Sequence, residues 1–302
     1  MLKELHRVEH DLNHVILGKP LQIRLALCSL LAEGHLLLED LPGMGKTTLA
    51  HALANAVGLT YKRVQFTNDL LPGDLLGMNI YDTRSAQFYF QPGPIFSQVL
   101  LADEINRASP KTQSALLEAM EERQVSIDGE TRPLPTPFFV IATQNPIFHA
   151  GTSALPESQL DRFLFRISLG FPDRAAEKQL LQDEQQGSRL QLLTAPLQPE
   201  QLRYLQQQVP KIAVAEPVLD YILALVHASR YTKAHLALSP RAAKALVRAA
   251  KAMAFIDGRT YVTADDVQRV FPYVAEHRLN PQSVAGEHVF SQQLLNTTPC
   301  EL

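Results

Sequence analysis

Leu41-Pro42-Gly43-Met44-Gly45-Lys46-Thr47-Thr48 sits between two segments of different pattern. Before it, His35–Glu39 is a short apolar run that suits a buried strand. After it, Lys46–Val57 reads as a helix ending at Gly58. A glycine-containing turn between strand and helix, opened by Pro42, lets main-chain amides of Gly43, Met44, Gly45 and Thr48 surround phosphate oxygens, while the helix start adds the positive end of its dipole. Lys46 is then the residue that reaches β- and γ-phosphates, and the Thr47 hydroxyl the one that holds Mg²⁺. The strict pattern has glycine five places before Gly45, and Asp40 stands there instead.

Working outward, three more strand ends carry polar residues. Tyr61–Phe66 reads as a strand, and Val99–Ala102 as a third that delivers Asp103 and Glu104. Two adjacent acids at a buried strand end need a reason, because unpaired buried charge is costly. A metal supplies one: Asp103 binds Mg²⁺ through water and Glu104 polarises the attacking water. Phe138–Ala142 reads as a fourth strand, running into Thr143-Gln144-Asn145-Pro146, so Thr143 or Asn145 touches the γ-phosphate or the lytic water. Phe163–Leu169 reads as a fifth, preceded by Asp161-Arg162, which is either a local ion pair or an arginine aimed at a neighbouring subunit's nucleotide. Asp128-Gly129 marks a hairpin, and residues 69–98 carry so many prolines and glycines that loops and short pieces are expected.

Leu2–Leu31 has helical spacing interrupted at Gly18-Lys19-Pro20. Ser109-Pro110 opens another helix. After Pro172 strand-like runs vanish, and Asp173–Glu184, Pro199–Gln208, Pro217–Arg230, Ser239–Phe255 and Thr263–Val274 all read as helices. The expected architecture is α/β: residues 1–170 form a nucleotide-binding core with a parallel, helix-flanked sheet, 171–281 a smaller all-α lid, and 282–302 a loose polar tail. Ser239-Pro240-Arg241 puts a cation in a helix's first turn, unfavourable by about 0.3–1 kcal/mol unless an anion lies near. Arg241, Lys244, Arg248 and Lys251 then follow at spacings of one helix face, either a solvated stripe or an anion-facing one.

The 302 residues leave room for about two domains and a core that needs no disulfides. Two cysteines, Cys28 and Cys300, form no staple framework. With 28 basic against 31 acidic residues, net −3, nucleic acid is not the expected partner of the whole chain. No apolar run reaches the roughly 18 residues of a membrane span, and the start is too polar for a signal peptide, so a cytoplasmic protein is expected.

Several long segments resemble the MoxR family of AAA+ ATPases. They are Gln65–Gly77, Gln91-Pro-Gly-Pro-Ile-Phe96, Leu101-Ala-Asp-Glu-Ile-Asn-Arg-Ala108, Lys111–Met120, Asp128-Gly-Glu130, Ala142-Thr-Gln-Asn-Pro146 and Gln159-Leu-Asp-Arg-Phe163. The resemblance covers roughly residues 5–280. It implies ATP and Mg²⁺ as ligands, Asn145 as first sensor, Arg162 as an arginine finger acting in trans, and Arg241 as second sensor on the lid. It implies that Leu17 and Gly18 lie against the adenine, although Lys19 stands where many relatives have Gln. Segments 68–78 and 124–135 match the insert and hairpin that line the central face of a ring, usually a hexamer, and engage clients. Such proteins are chaperone-like motors, often acting on proteins with von Willebrand factor A (VWA) domains. The rival readings are a nucleotide-dependent scaffold with little hydrolysis, a nucleic-acid-handling relative and a small-molecule kinase. The intact Asp103-Glu104 pair opposes the first, the charge balance the second and the helical second domain the third.

Overall fold

The computed structural model describes residues 1–145, 155–182, 190, 193, 196–231 and 234–300. Pro146, the last residue of the polar stretch after the fourth expected strand, and Asp183-Glu184, the end of an expected helix, lie outside the described residues. The strands are β1 (Leu36–Glu39), β2 (Tyr61–Gln65), β3 (Gly77–Asp82), β4 (Gln87–Pro92), β5 (Val99–Asp103), β6 (Gln124–Ile127), β7 (Glu130–Pro133), β8 (Phe139–Gln144) and β9 (Phe165–Ile167). The helices of the first half are α1 (Leu2–Val15), α2 (Pro20–Leu31), α3 (Lys46–Ala56), α4 (Pro72–Leu76), α5 (Pro110–Glu122) and α6 (Glu157–Leu160). Those of the second half are α7 (Arg174–Gln182), α8 (Pro199–Gln208), α9 (Glu216–Ala228), α10 (Pro240–Ile256), α11 (Ala264–Leu279) and α12 (Val289–Thr297).

Five strands form one sheet in the order β2-β5-β8-β1-β9, and every pair is parallel. β1, β5, β8 and β9 are buried along their whole length, as continuous apolar runs covered on both faces should be. Side chains alternate between two cores. Leu36, Leu38, Val99, Leu101, Phe139 and Ile141 face one core together with α1–α3, and Leu37, Leu100, Ala102, Val140 and Ala142 face the other with Leu116, Leu117 and Met120 of α5. The first core runs on without a break into the helical half, through Leu202, Leu225, Leu246, Met253 and Phe271. Cys28 Sγ on Ala249 O (3.3 Å) and Gln206 Nε2 on Leu30 O (2.8 Å) join α2 to helices of that half.

Two expectations are corrected. Residues 77–92, expected as loops and short pieces, form the β3–β4 hairpin, with Met78, Tyr81, Phe88 and Tyr89 exposed. Glycine and proline at its two ends hide the alternation: a Cβ on Gly77 or Gly93 would fall within 2.6 Å of facing main chain, so both positions need glycine. The tail, expected to be loose, carries α12, which docks on α11 through Ser291, whose N (2.8 Å) and Oγ (2.5 Å) both reach Glu276 Oε2, and through buried Leu294. Two buried contacts are too few to leave a helical period in nine residues.

His35, just before β1, accepts from Val140 N at Nδ1 (3.0 Å) and lies 3.2 Å from Met120 O at Nε2. Burial pushes its pKa down to about 4, and burial with Arg278 and Arg166 holds that of His277 well below the ordinary range. The unfolded chain protonates these rings near pH 6.5, which the folded chain resists. Stability is therefore complete above pH 6.5 and is lost as pH falls towards 4, at up to about 1.4 kcal/mol per pH unit for each histidine. Urea denaturation midpoints at pH 7 and 4.5 check this, and a midpoint equal or higher at pH 4.5 contradicts it.

Candidate functional site

Parallel strands all end at one edge, and a cavity of about 880 Å³ opens there. At its floor the loop before α3 turns through Gly43 (φ 84°) and Gly45 (φ 88°), the latter being the N-cap of α3. A Cβ at either glycine would meet nothing within 4 Å, so conformation and not space calls for glycine there. Pro42 to Thr48 all line the cavity. Lys46 is buried, and its Nζ donates to Asp40 O (2.5 Å), Leu41 O (3.3 Å) and Asn145 Oδ1 (3.4 Å). Burial pushes the ammonium pKa down, while Asp40, Asp103, Glu104 and Glu39 pull it back up.

Asp40, the residue out of pattern, does not line the cavity. Its buried carboxylate accepts from Ser168 Oγ (2.6 Å), Leu169 N (2.7 Å) and Gly170 N (3.1 Å). It ties the start of the loop to the strand-to-helix strap that leads into the second half of the chain. The other departure, Lys19, serves the same strap: its ammonium donates to Phe171 O (2.6 Å).

The acids sit on the wall. Asp103 Oδ1 accepts from the buried Thr143 hydroxyl (2.5 Å), which in turn accepts from Glu104 N (2.8 Å). Glu104 has left-handed backbone (φ 56°, ψ 47°), which costs a non-glycine residue about 1 kcal/mol and turns its side chain out of the strand line into the cavity. Its Oε1 accepts from Asn145 Nδ2 (2.8 Å) and its Oε2 from Gln65 Nε2 (2.7 Å) and Arg107 Nη1 (2.9 Å). Of the two candidates at the end of β8, Asn145, just past it, is therefore the one that faces the cavity with Glu104, and Thr143 is the buried tie between the acids. Arg63, donating to Asp103 Oδ2 (2.6 Å), and Gln65 were missed in the sequence. Their signal was there: two polar residues at i, i+2 on the strand that pairs Gln65 with Asp103.

At the far end Val15, Ile16, Leu17, Phe171 and Pro172 give the cavity an apolar lining. Gly18 lies in the adjacent turn at φ 69° without lining the cavity. Among the described residues no group of three or more His, Cys, Asp or Glu makes a metal cage. The Thr47 hydroxyl and the Asp103 carboxylate, both of residues lining the cavity, are hard oxygen donors of the kind suited to Mg²⁺, which keeps most of its water and takes the rest from phosphates.

Arg162 and Arg241 are elsewhere. They line a second cavity of about 300 Å³ with Arg123, Lys244, Arg248 and Arg278, against the acids Glu33, Glu121 and Asp161. Gly34 and His35 line it too, so it lies at the opposite, amino end of β1. The four residues of β1, roughly 13 Å of extended chain, separate it from the Lys46 site. Arg241, expected as second sensor on the lid, thus stands apart from its own chain's Lys46: α10 packs on α2, and its first turn meets α5 at Glu121. Three members of the basic stripe line this cavity, and Lys251 donates to Pro210 O (2.6 Å).

Residues 35–165 match the ATPase family associated with various cellular activities (AAA), and 228–298 the AAA lid domain. The YeaC protein of Bacillus subtilis is 45% identical over 273 residues, covering 90% of this chain and 85% of that one. Chaperone MoxR1 of Mycobacterium tuberculosis is 40% identical, covering 91% of this chain and 76% of its own, and protein MoxR of Methylorubrum extorquens is 32% identical, covering 90% and 86%. The crystal structure of a candidate ATPase from Cytophaga hutchinsonii superposes with a TM-score of 0.88 at 32% identity, over 100% of this chain and 96% of that one.

Removing the Thr143 hydroxyl leaves Asp103 and the Glu104 main chain without their shared partner. Thr143→Val is expected to lower ATP turnover about 10–100-fold while binding of a fluorescent ATP analogue changes only a few-fold. Steady-state turnover and a binding titration on the same preparation check this. Unchanged turnover removes the tie from the mechanism.

Proposed function

The chain belongs to the MoxR family of AAA+ ATPases, and from that premise we propose that it hydrolyses Mg²⁺-ATP at the interfaces of a ring, each site completed by a neighbouring copy. The observation that carries this reading is the separation of the two cavities by the length of β1. One end of the sheet gathers the loop, the lysine and the acids that this reading assigns to a triphosphate and its attacking water. The other has cations that cannot reach that triphosphate within the same chain.

In this reading the loop 42–48 holds the phosphates, Lys46 bridges β and γ, and the adenine lies towards Leu17 and the Gly18 turn. Thr47 and Asp103 are the residues that would hold Mg²⁺, which when bound neutralises charge building up on the β–γ oxygens. Glu104 accepts the proton of a water attacking in line with the β–γ bond, and Asn145, bonded to both Glu104 and Lys46, orients that water against the γ-phosphate. Arg162 and Arg241 of the next copy stabilise the charge on the departing phosphoryl group. Residues 1–170 act as the core and 171–281 as the lid, with α12 riding on the lid.

The work done with ATP is the remodelling or assembly of client proteins in the cytoplasm, VWA-domain proteins being the expected class. The exposed apolar hairpin β3–β4, joined to the β6–β7 hairpin by Asn79 Nδ2 on Asp128 Oδ2 (2.7 Å), is the surface offered to a client. Among the described residues no helix is long and apolar enough to cross a membrane.

Glu104→Gln is expected to keep ATP binding and to lose turnover by at least about 100-fold. Turnover per subunit is expected to rise with protein concentration and then saturate. Arg162→Ala is expected to abolish that rise, and a small dose of it to poison wild-type turnover more than in proportion. Flat turnover from a chain that sizes as a monomer would show a site complete within one copy and overturn the interface reading.

A further inference from the structure

Glu121, near the end of α5, does something neither cavity requires. One carboxylate oxygen accepts from Arg241 Nη2 (2.6 Å), the other lies 3.2 Å from Arg162 Nη2. The two arginines come from different parts of the chain, Arg162 from the core and Arg241 from the first turn of α10. Their neighbours are arranged to keep them there. Asp161 holds Arg278 at 2.6 Å and stands 3.9 Å from Arg241, so positive and negative groups alternate from Arg278 to Arg162. The pairing leaves binding capacity over. A single carboxylate charge sits between two guanidinium charges, and Arg162 Nε is buried with no hydrogen-bond partner among the described residues.

A carboxylate bridging two guanidiniums has the sign of charge and the paired oxygens of a phosphate edge, but one negative charge where a terminal phosphate carries nearly two. We propose that Glu121 is an internal competitor, occupying Arg162 and Arg241 until the terminal phosphate of a nucleotide on a second copy displaces it. The displacement is what makes assembly discriminate triphosphate from diphosphate. A γ-phosphate brings the charge and the reach to take both arginines. A diphosphate ends one phosphate short and leaves them on Glu121. Without the competitor the two free arginines attract any anionic surface of a second copy, and the discrimination is lost. This rests on the reading of Arg162 and Arg241 as acting in trans.

The test is sedimentation velocity of the full chain with Mg²⁺ and either a non-hydrolysable ATP analogue or ADP, taking the concentration of half-assembly in each. Wild type is expected to assemble at much lower concentration with the triphosphate. Glu121→Gln, close in shape but uncharged, is expected to lower the ADP midpoint about tenfold, the size of one charge-assisted contact, and to bring the two midpoints together. Glu121→Asp, which keeps the charge, is expected to retain most of the wild-type gap. A gap unchanged in Glu121→Gln, with Arg162→Ala still losing triphosphate-driven assembly, overturns the competitor and leaves the trans reading standing. Loss of assembly with both nucleotides in a Glu121→Gln chain that melts like wild type makes Glu121 an aligning residue and likewise overturns it. If Arg162→Ala and Arg241→Ala change neither midpoint, the trans reading fails and the proposal with it.

Discussion

Parallel pairing sets the polarity of every strand in the central sheet, and the distribution of chemistry follows from it. All five strands end at the same edge. There the chain leaves a buried apolar layer, and its polar side chains must find partners or solvent. Asp103 and Glu104 from β5, Asn145 after β8 and the phosphate loop after β1 converge because their strands are neighbours pointing one way. The same rule at the other edge gathers His35 before β1 and Asp161-Arg162 before β9. An antiparallel neighbour would mix the two sets. The Lys46 cavity and the arginine-lined cavity thus stand at opposite ends of the sheet, a geometry that suits head-to-tail association of identical copies.

The convergent groups are held more tightly than their exposure suggests. Thr143 is wholly buried and spends its one hydroxyl on both acids, accepting from the Glu104 main chain and donating to the Asp103 carboxylate. That bond helps support the left-handed backbone of Glu104, a conformation a glutamate adopts only when its surroundings insist. Glu104 is then held by three donors: Gln65 at the end of β2, Asn145 just past β8, and Arg107 three residues on in its own turn. Such a carboxylate reports on the strand beside it as well as on the cavity in front of it.

The departure from the strict phosphate-loop pattern has a structural use. Asp40 takes three hydrogen bonds from residues 168–170, and its own carbonyl accepts from Lys46. Glycine at this position would leave those two main-chain amides and a serine hydroxyl without their acceptor, at about 1–3 kcal/mol for each group left buried and unpaired. Asp40 therefore links Lys46 to the strap entering the helical half. The hydrophobic core is also continuous across the two halves.

The linear order of residues was enough for the parts that depend on local chemistry. The loop at 41–48, the acids at 103–104, the buried strands and the helices after Pro172 each carry their signal within a dozen residues, because strand burial, helix period and glycine turns are short-range constraints. Where a weak local signal met a long-range need, tertiary structure decided. The hairpin at 77–92 is held by close main-chain approach at Gly77 and Gly93, and α12 by a serine on a buried glutamate, neither of which leaves a periodic trace. Placement was out of reach altogether. Arg241 sits in a helix start that is plain from Ser239-Pro240, yet which end of the sheet that start faces is set by the packing of α10 on α2, some 200 residues apart in the chain. Spacing along a helix says which side chains share a face. Only the packing of that helix says what the face meets.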